Sequence, residues 1–315
     1  MPSFRVFTRW LPLVLVISLT ACSQDRMVLV DPAFLGSLFT PAPGPKVISE
    51  DDPEPGAEQD SNVLKMKLVW CPAGEFIMGS PESDPAADAR EKPQVAVTLS
   101  SGFWLGKCEV TQGDFERIMR TAPWRGPMFF STIKYVKRDS ECAASYITWD
   151  DAMAFCRKLT ELEHKAGRLP AGWEYTLPSE AQWEYACRAG TRTIHSFGDD
   201  DDVLGDYARF GGLVGHGNTR LNPYASYCGQ KQANPWGLHD MYGNVFEWCR
   251  DVMVDALPGG TDPVVTSGSE NRVCRGGSWD MTASRCRSAY RGWYPASFSD
   301  FSTGFRVALC RVQNP

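Results

Sequence analysis

Three short words near the C-terminus constrain this chain most. They are Val273-Cys274-Arg275-Gly276-Gly277-Ser278-Trp279, Cys286-Arg287-Ser288-Ala289-Tyr290-Arg291 and Gly304-Phe305-Arg306. Gly, Arg and Trp in such words suit positions that bury or brace a chain. Paired glycines suit backbone that must adopt positive φ or approach a neighbour closely. A phosphate-cradling loop is a poor reading, because no Lys-Ser/Thr follows Gly276-Gly277 and no long helix pattern begins there. The residues between the words vary in type, and Cys286 is the single cysteine between Ser278 and Arg291.

The other end sets an expected compartment. Arg5 and Arg9 form a basic n-region, and Leu11 to Leu19 form an apolar stretch too short to span a bilayer as a stable helix. Leu19-Thr20-Ala21-Cys22 follows and resembles a bacterial lipobox. That resemblance implies a signal peptide over 1–21, lipidation of Cys22 and, with Ser23 next, sorting to the outer membrane. Residues 22–62 are rich in Pro, Gly, Asp and Glu. Such a segment buries too little apolar surface to order itself and reads as a tether. No second break of this kind follows, so 63–315 reads as one domain. Hydrophobic residues make up 43% of the chain, enough for a sizeable core. The net charge of −6 argues against non-specific nucleic-acid binding. Ten of the 11 cysteines follow Cys22, an even number that suggests disulfides in an oxidising compartment, with buried free thiols as the alternative.

Local patterns give short strands and a few helices. Lys65 to Trp70, Gly74 to Gly79 and Phe103 to Val110 are strand candidates. Thr111 with Asp114, Thr148 and Ser179 with Gln182 are helix caps, each preceding apolar residues at helical spacing. Trp183, Trp236 and Trp248 sit beside Gly and Glu in turn-like settings and read as core, since indoles bury large areas.

In order along the chain come Leu68 to Ser80, Glu109-Val110-Thr111, Thr148-Trp149-Asp150-Asp151-Ala152, Leu177 to Ala186, Pro235-Trp236-Gly237-Leu238, Gly243-Asn244-Val245-Phe246-Glu247-Trp248 and Arg275-Gly276-Gly277-Ser278-Trp279. This ordered set resembles the formylglycine-generating-enzyme (sulfatase-modifying-factor) family. The resemblance implies an α+β, C-type-lectin-like domain, loop-rich with little regular structure. It also implies a structural calcium ion held by Asp240 and Glu247 with the carbonyls of Gly243 and Val245; hard oxygen donors from a tight loop suit Ca²⁺. A second family calcium position near Tyr207 to Phe210 is doubtful, because Arg209 stands where an oxygen donor would be. By the same resemblance Cys187 and Cys286 are disulfide partners.

The oxidases of that family use two nearby cysteines to bind copper(I), a soft metal that favours thiolates. Neither has a match here, so no copper and no oxidase chemistry are expected. The intervening residues Asp280, Thr282, Tyr290, Gly292, Trp293, Tyr294, Phe298, Asp300 and Phe301 instead resemble a paratope in composition. Residues 279–306 also resemble the variable region of retroelement-diversified lipoproteins, where adenine-directed changes turn Asn codons into Asp, Thr, Ser, Tyr, Gly or Phe. The expected protein is a non-catalytic, surface-displayed lipoprotein that binds a protein or glycan through one exposed surface. On that reading Tyr290, Tyr294 and Phe301 could become Ser without loss of folding. The competing reading is an exported enzyme of the family with altered chemistry, its aromatics partly core.

Overall fold

Thr111, Thr148 and Ser179 each open a helix where the sequence places a cap. In a computed structural model of the chain, which describes residues 52–125, 135–211 and 224–312, the helices are α1 (Gln112–Met119), α2 (Trp149–Lys165), α3 (Glu180–Arg188) and the short α4 (Leu204–Tyr207). Thr148 and Ser179 form full capping boxes with Asp151 and Gln182. At Thr111 the side chain accepts from the Asp114 amide, but the Asp114 carboxylate meets the Thr111 hydroxyl at 3.0 Å. Asp114 thus turns to the Thr111 hydroxyl rather than the Thr111 amide, and the expected box stays open.

The strands are β1 (Glu58–Gln59), β2 (Leu68–Cys71), β3 (Gly74–Met78), β4 (Val95–Leu99), β5 (Phe103–Gly106), β6 (Trp173–Thr176), β7 (Phe246–Val252), β8 (Gly260–Thr261), β9 (Asn271–Arg275), β10 (Gly292–Pro295), β11 (Thr303–Gly304) and β12 (Ala308–Arg311). They form three sheets with orders β1-β2-β5-β12-β6, β10-β9-β7-β11 and β3-β4-β8. Strand β12 pairs antiparallel with both β5 and β6, so the last residues close the sheet that the first strands begin.

The boundary of the tether needs correction. Glu58 and Gln59 pair with Val69 and Leu68, and the Gly56 amide donates to the Trp70 carbonyl. The polar run of 52–62 therefore joins the domain as an edge strand, because its backbone is satisfied by β2 rather than by its own side chains. Residues 1–51, with the signal segment and Cys22, lie outside the described residues. Among those described, no helix is long and apolar enough to cross a membrane.

Trp183 and Trp248 are fully buried and Trp236 is half-buried against Tyr185. Gly276 and Gly277 have φ of +92° and +74°. A Cβ on Gly277 would lie 2.7 Å from the Cys286 sulfur, so only glycine fits there.

The arginines of the C-terminal words hold the layers together. Arg275 pairs with Glu184 of α3, and Arg291 grips Glu180 through Nε and Nη2 at 2.7 and 2.9 Å. Arg287 grips Glu91 twice at 2.8 Å and reaches Asp84 at 3.2 Å. Arg306 grips Glu247 of β7 at 2.5 and 2.6 Å. All four guanidiniums are buried. Bidentate geometry of this kind offsets the desolvation of both charges. For Arg306, burial disfavours the charge, but Glu247 outweighs burial and raises the pKa above its ordinary value.

Candidate functional site

The word Cys286 to Arg291 leads straight into β10, and this stretch forms one wall of an open cleft of about 630 Å³. Tyr290, Gly292, Trp293 and Tyr294 line it, with Phe246 of β7 below them. The facing wall is Ala86 to Asp88 and the one-turn 3₁₀ helix Ala89–Glu91, which Asp88 and Glu91 fix with a reciprocal capping box. Arg287 and Arg291 tie the two walls together from beneath: Arg287 Nη2 donates to the Ala86 carbonyl at 3.0 Å, and Arg291 Nη1 donates to the Arg90 carbonyl at 2.9 Å. The cleft is thus braced by buried ion pairs that span about 200 residues of chain.

Its chemistry is aromatic with charge at the rim. Trp293 is 36% exposed, and the Arg90 guanidinium lies 4.6 Å from its ring centroid, a cation–π contact. Arg285 and Asp88 add one charge of each sign to the lining. Burial pushes the Tyr290 and Tyr294 phenols above their ordinary range. Both stay protonated at neutral pH and keep a hydroxyl donor.

The nine residues expected to form one surface divide. Tyr290, Trp293 and Tyr294 come together in the cleft. Gly292 is there too but is buried: a Cβ on it would meet the Cys274 sulfur at 2.8 Å, so it serves the close packing of β10 on β9 rather than a ligand. Phe298 stacks on Tyr294 at 4.2 Å and backs the wall from outside the lining. Phe301 belongs to another cluster, with Trp279 at 5.3 Å and Tyr135 at 5.4 Å. Asp280 accepts from the Ser278 hydroxyl, and Asp300 accepts from the amide and hydroxyl of Ser302, so both acids hold local turns. Thr282 is exposed and meets the Ser284 hydroxyl at 2.9 Å. The expectation of a single surface is therefore corrected: half-buried aromatics split between two packing clusters because each finds a different buried Trp or Phe. Sequence reasoning missed the facing wall. Asp-x-x-Glu at 88–91 was the available signal, since that spacing marks a helix start.

Cys187 and Cys286 are both free and buried in one core cluster. Cys187 and Cys286, the expected disulfide partners, thus share one cluster; Tyr242 and Ser288 engage the Cys187 thiol, and Cys286 packs under Gly277. Burial pushes the Cys286 thiol up to about 12, so it is not a thiolate at neutral pH and is a poor nucleophile.

Asp240, Gly243 and Val245 lie in one turn that leads into Glu247 of β7, with φ of +56° at Asp240 and +116° at Gly243. Glu247 accepts from both Arg306 and, at 2.6 Å, the Trp183 indole. Asp240 accepts from the Gly229 amide. Glu109 joins them: it is buried, its Oε2 has no hydrogen-bond partner, and Asp240 and Glu247 add to burial in raising its pKa. Three carboxylates surround one guanidinium, and burial holds Glu109 and Asp240 toward their neutral forms; a cation bound here would favour their ionised forms. Both Glu247 oxygens already accept from Arg306, and among the described residues no group of three or more His, Cys, Asp or Glu is arranged to hold a metal. Arg209, which stands where the second calcium position would need an oxygen donor, meets this turn through its backbone carbonyl, which accepts from the Asn244 amide.

Known proteins share the fold of this chain. The chain is 25% identical over 293 residues to the formylglycine-generating enzyme of Mus musculus, covering 77% of this chain and 74% of that one. Two solved structures share the fold at 24% identity. PvdO from Pseudomonas aeruginosa has a TM-score of 0.68, with 82% of this chain and 99% of that chain covered. Treponema denticola variable protein 1 has a TM-score of 0.60, with 78% and 95% covered. Related proteins include enzymes and an inactive member. The fold is the α+β, C-type-lectin-like one that the motifs implied. With residues 54–310 matched, the chain belongs to the family of the sulfatase-modifying factor enzyme 1-like domain.

Proposed function

We propose that this domain is a non-catalytic binding module, displayed at the bacterial cell surface by a lipid on Cys22, and that the cleft around Trp293 takes its ligand. The observation that carries this reading is the braced aromatic cleft standing where the C-terminal words converge. Its rim offers one exposed indole, two phenol donors and charges of both signs, a set suited to a protein or glycan surface. Residues 279–306 supply much of one wall, which fits a region open to diversification, while the arginine words that brace it stay fixed in role. The test is binding by the purified full-length protein to arrays of glycans and of surface proteins. Trp293→Ser with Arg285→Ala should abolish any signal found and leave the melting temperature within about 2 °C, since exposed substitutions cost little. Retained binding by that variant would overturn the assignment of the cleft.

The second reading, an altered enzyme of the family, has a direct check. Supplied with copper and a sulfatase-type cysteine peptide, the protein should yield no formylglycine by mass spectrometry. Cys286 alone lacks a second thiolate partner and is buried as a thiol. Turnover above background would favour the enzyme.

Calcium, when bound, would be held by Asp240 and Glu247 with the carbonyls of Gly243 and Val245, and would favour the ionised forms of Glu109 and Asp240. A ligand that binds only the folded state stabilises by mass action, about 2.7 kcal/mol at a hundredfold excess over Kd. Chelation should then lower the melting temperature by roughly 5–10 °C, and Asp240→Ala should remove the chelator's effect. A melting curve indifferent to chelator would count against calcium here.

A further inference from the structure

A second cleft of about 590 Å³ opens on another part of the molecule, and two cysteines line it, Cys108 and Cys228. Cys108 lies between β5 and the Thr111 cap of α1; Cys228 lies in a turn that pairs with Cys142 through Tyr227. Both are partly exposed, whereas Cys71, Cys142, Cys156, Cys187, Cys249, Cys274 and Cys286 are buried.

Each thiol sits against the backbone beside the other. The Cys228 sulfur lies 3.8 Å from the carbonyl oxygen of Glu109, the residue after Cys108. The Cys108 sulfur lies 3.4 Å from where a Cβ would stand on Gly229, the residue after Cys228. Reciprocal contacts of this kind place each sulfur beside the other cysteine's chain neighbour. The absence of a side chain on Gly229 leaves room for the Cys108 sulfur. The thiols also feel each other: Cys108 is among the groups that disfavour a charge on Cys228. Cys142, although paired by backbone to Tyr227, is not among them.

We propose that Cys108 and Cys228 form a disulfide that pins the wall of this second cleft. The step is thiol–disulfide exchange with a disulfide donor. One thiolate attacks the donor, breaking its S–S bond and forming a mixed disulfide. The second thiolate then attacks that bond. The pair loses two protons and two electrons, and the donor leaves as two thiols. Burial pushes both thiols above the ordinary cysteine range, which slows the exchange at neutral pH. The bond would close a loop of about 120 residues, a length at which a crosslink strongly restricts the unfolded chain. It would anchor the turn at Tyr227 to the start of α1. The proposal is independent of the ligand at the first cleft.

The experiment is to equilibrate the full-length protein with glutathione disulfide, block residual thiols under denaturing conditions, and map peptides without reduction. The Cys108 and Cys228 peptides should be joined. Oxidised wild type should melt roughly 5–15 °C above Cys108→Ser and above Cys228→Ser, the double variant should match either single one, and all four should converge after reduction. Recovery of both cysteines as alkylated thiols, their linkage to other cysteines, or equal melting of oxidised wild type and single variants would overturn the proposal.

Discussion

Replacing Arg306 with Met should lower the melting temperature of the domain by roughly 10 °C or more, or prevent folding. The side chain is fully buried and holds three groups at once. Its Nε and Nη2 grip Glu247, and its other donations reach the Gly106 carbonyl at 2.9 Å and the His239 carbonyl at 2.9 Å. Methionine fills much of the volume but leaves the Glu247 carboxyl group in the core without its cation, the Trp183 indole its remaining strong donor. Breaking one side of a buried pair costs about 3–5 kcal/mol. Lysine would do little better, since a point charge cannot reproduce the fork that matches both carboxylate oxygens. The control is Arg306→Met with Glu247→Leu. If the loss comes from the orphaned carboxylate, the double variant should recover part of it. A single variant that melts within 2 °C of wild type would show that Arg306 braces nothing.

That prediction rests on residues legible in the sequence, and the reason is physical. Caps and paired glycines are local: Ser179 with Gln182, Thr148 with Asp151, and Gly276-Gly277 declare their backbone geometry within a few positions. The repeated Arg of the C-terminal words likewise marked bracing positions, although not their partners. Glu91, Glu180 and Glu184 lie about 90 to 200 residues away from Arg275, Arg287 and Arg291, and nothing local links them. The cleft suffered for the same reason. Tyr290, Trp293 and Tyr294 were visible as aromatics in and after the fixed word, but the wall from Ala86 to Glu91 meets them through contacts made about 200 residues away in the chain. Edge strand β1 was hidden because a two-residue strand has no periodicity of its own; its partner β2 defines it.

Changing Tyr290, Tyr294 and Phe301 together to Ser should unfold the domain or lower its melting temperature by well over 10 °C, contrary to what composition suggests. Tyr294 packs edge-on against Trp248 at 6.3 Å and Phe246 at 6.2 Å, and lies under Phe298. Tyr290 adds a second ring against Phe246 at 6.3 Å. Phe301 covers Trp279, which is fully buried. A fully buried aromatic costs about 3–5 kcal/mol when truncated, and half-burial scales that to about 2 kcal/mol each. Phe301 lies in a different cluster from the two tyrosines, so its loss should add to theirs. The sum, about 6 kcal/mol, approaches the whole stability of an ordinary domain. Trp293→Ser should by contrast leave the melting curve nearly in place, because the indole is held at the rim by Arg90 rather than by the core. The pair of variants separates packing from recognition: circular dichroism melts read the first, and ligand capture by Trp293→Ser reads the second. A triple variant that melts like wild type would place all three rings outside the core and restore the single exposed surface that composition suggests.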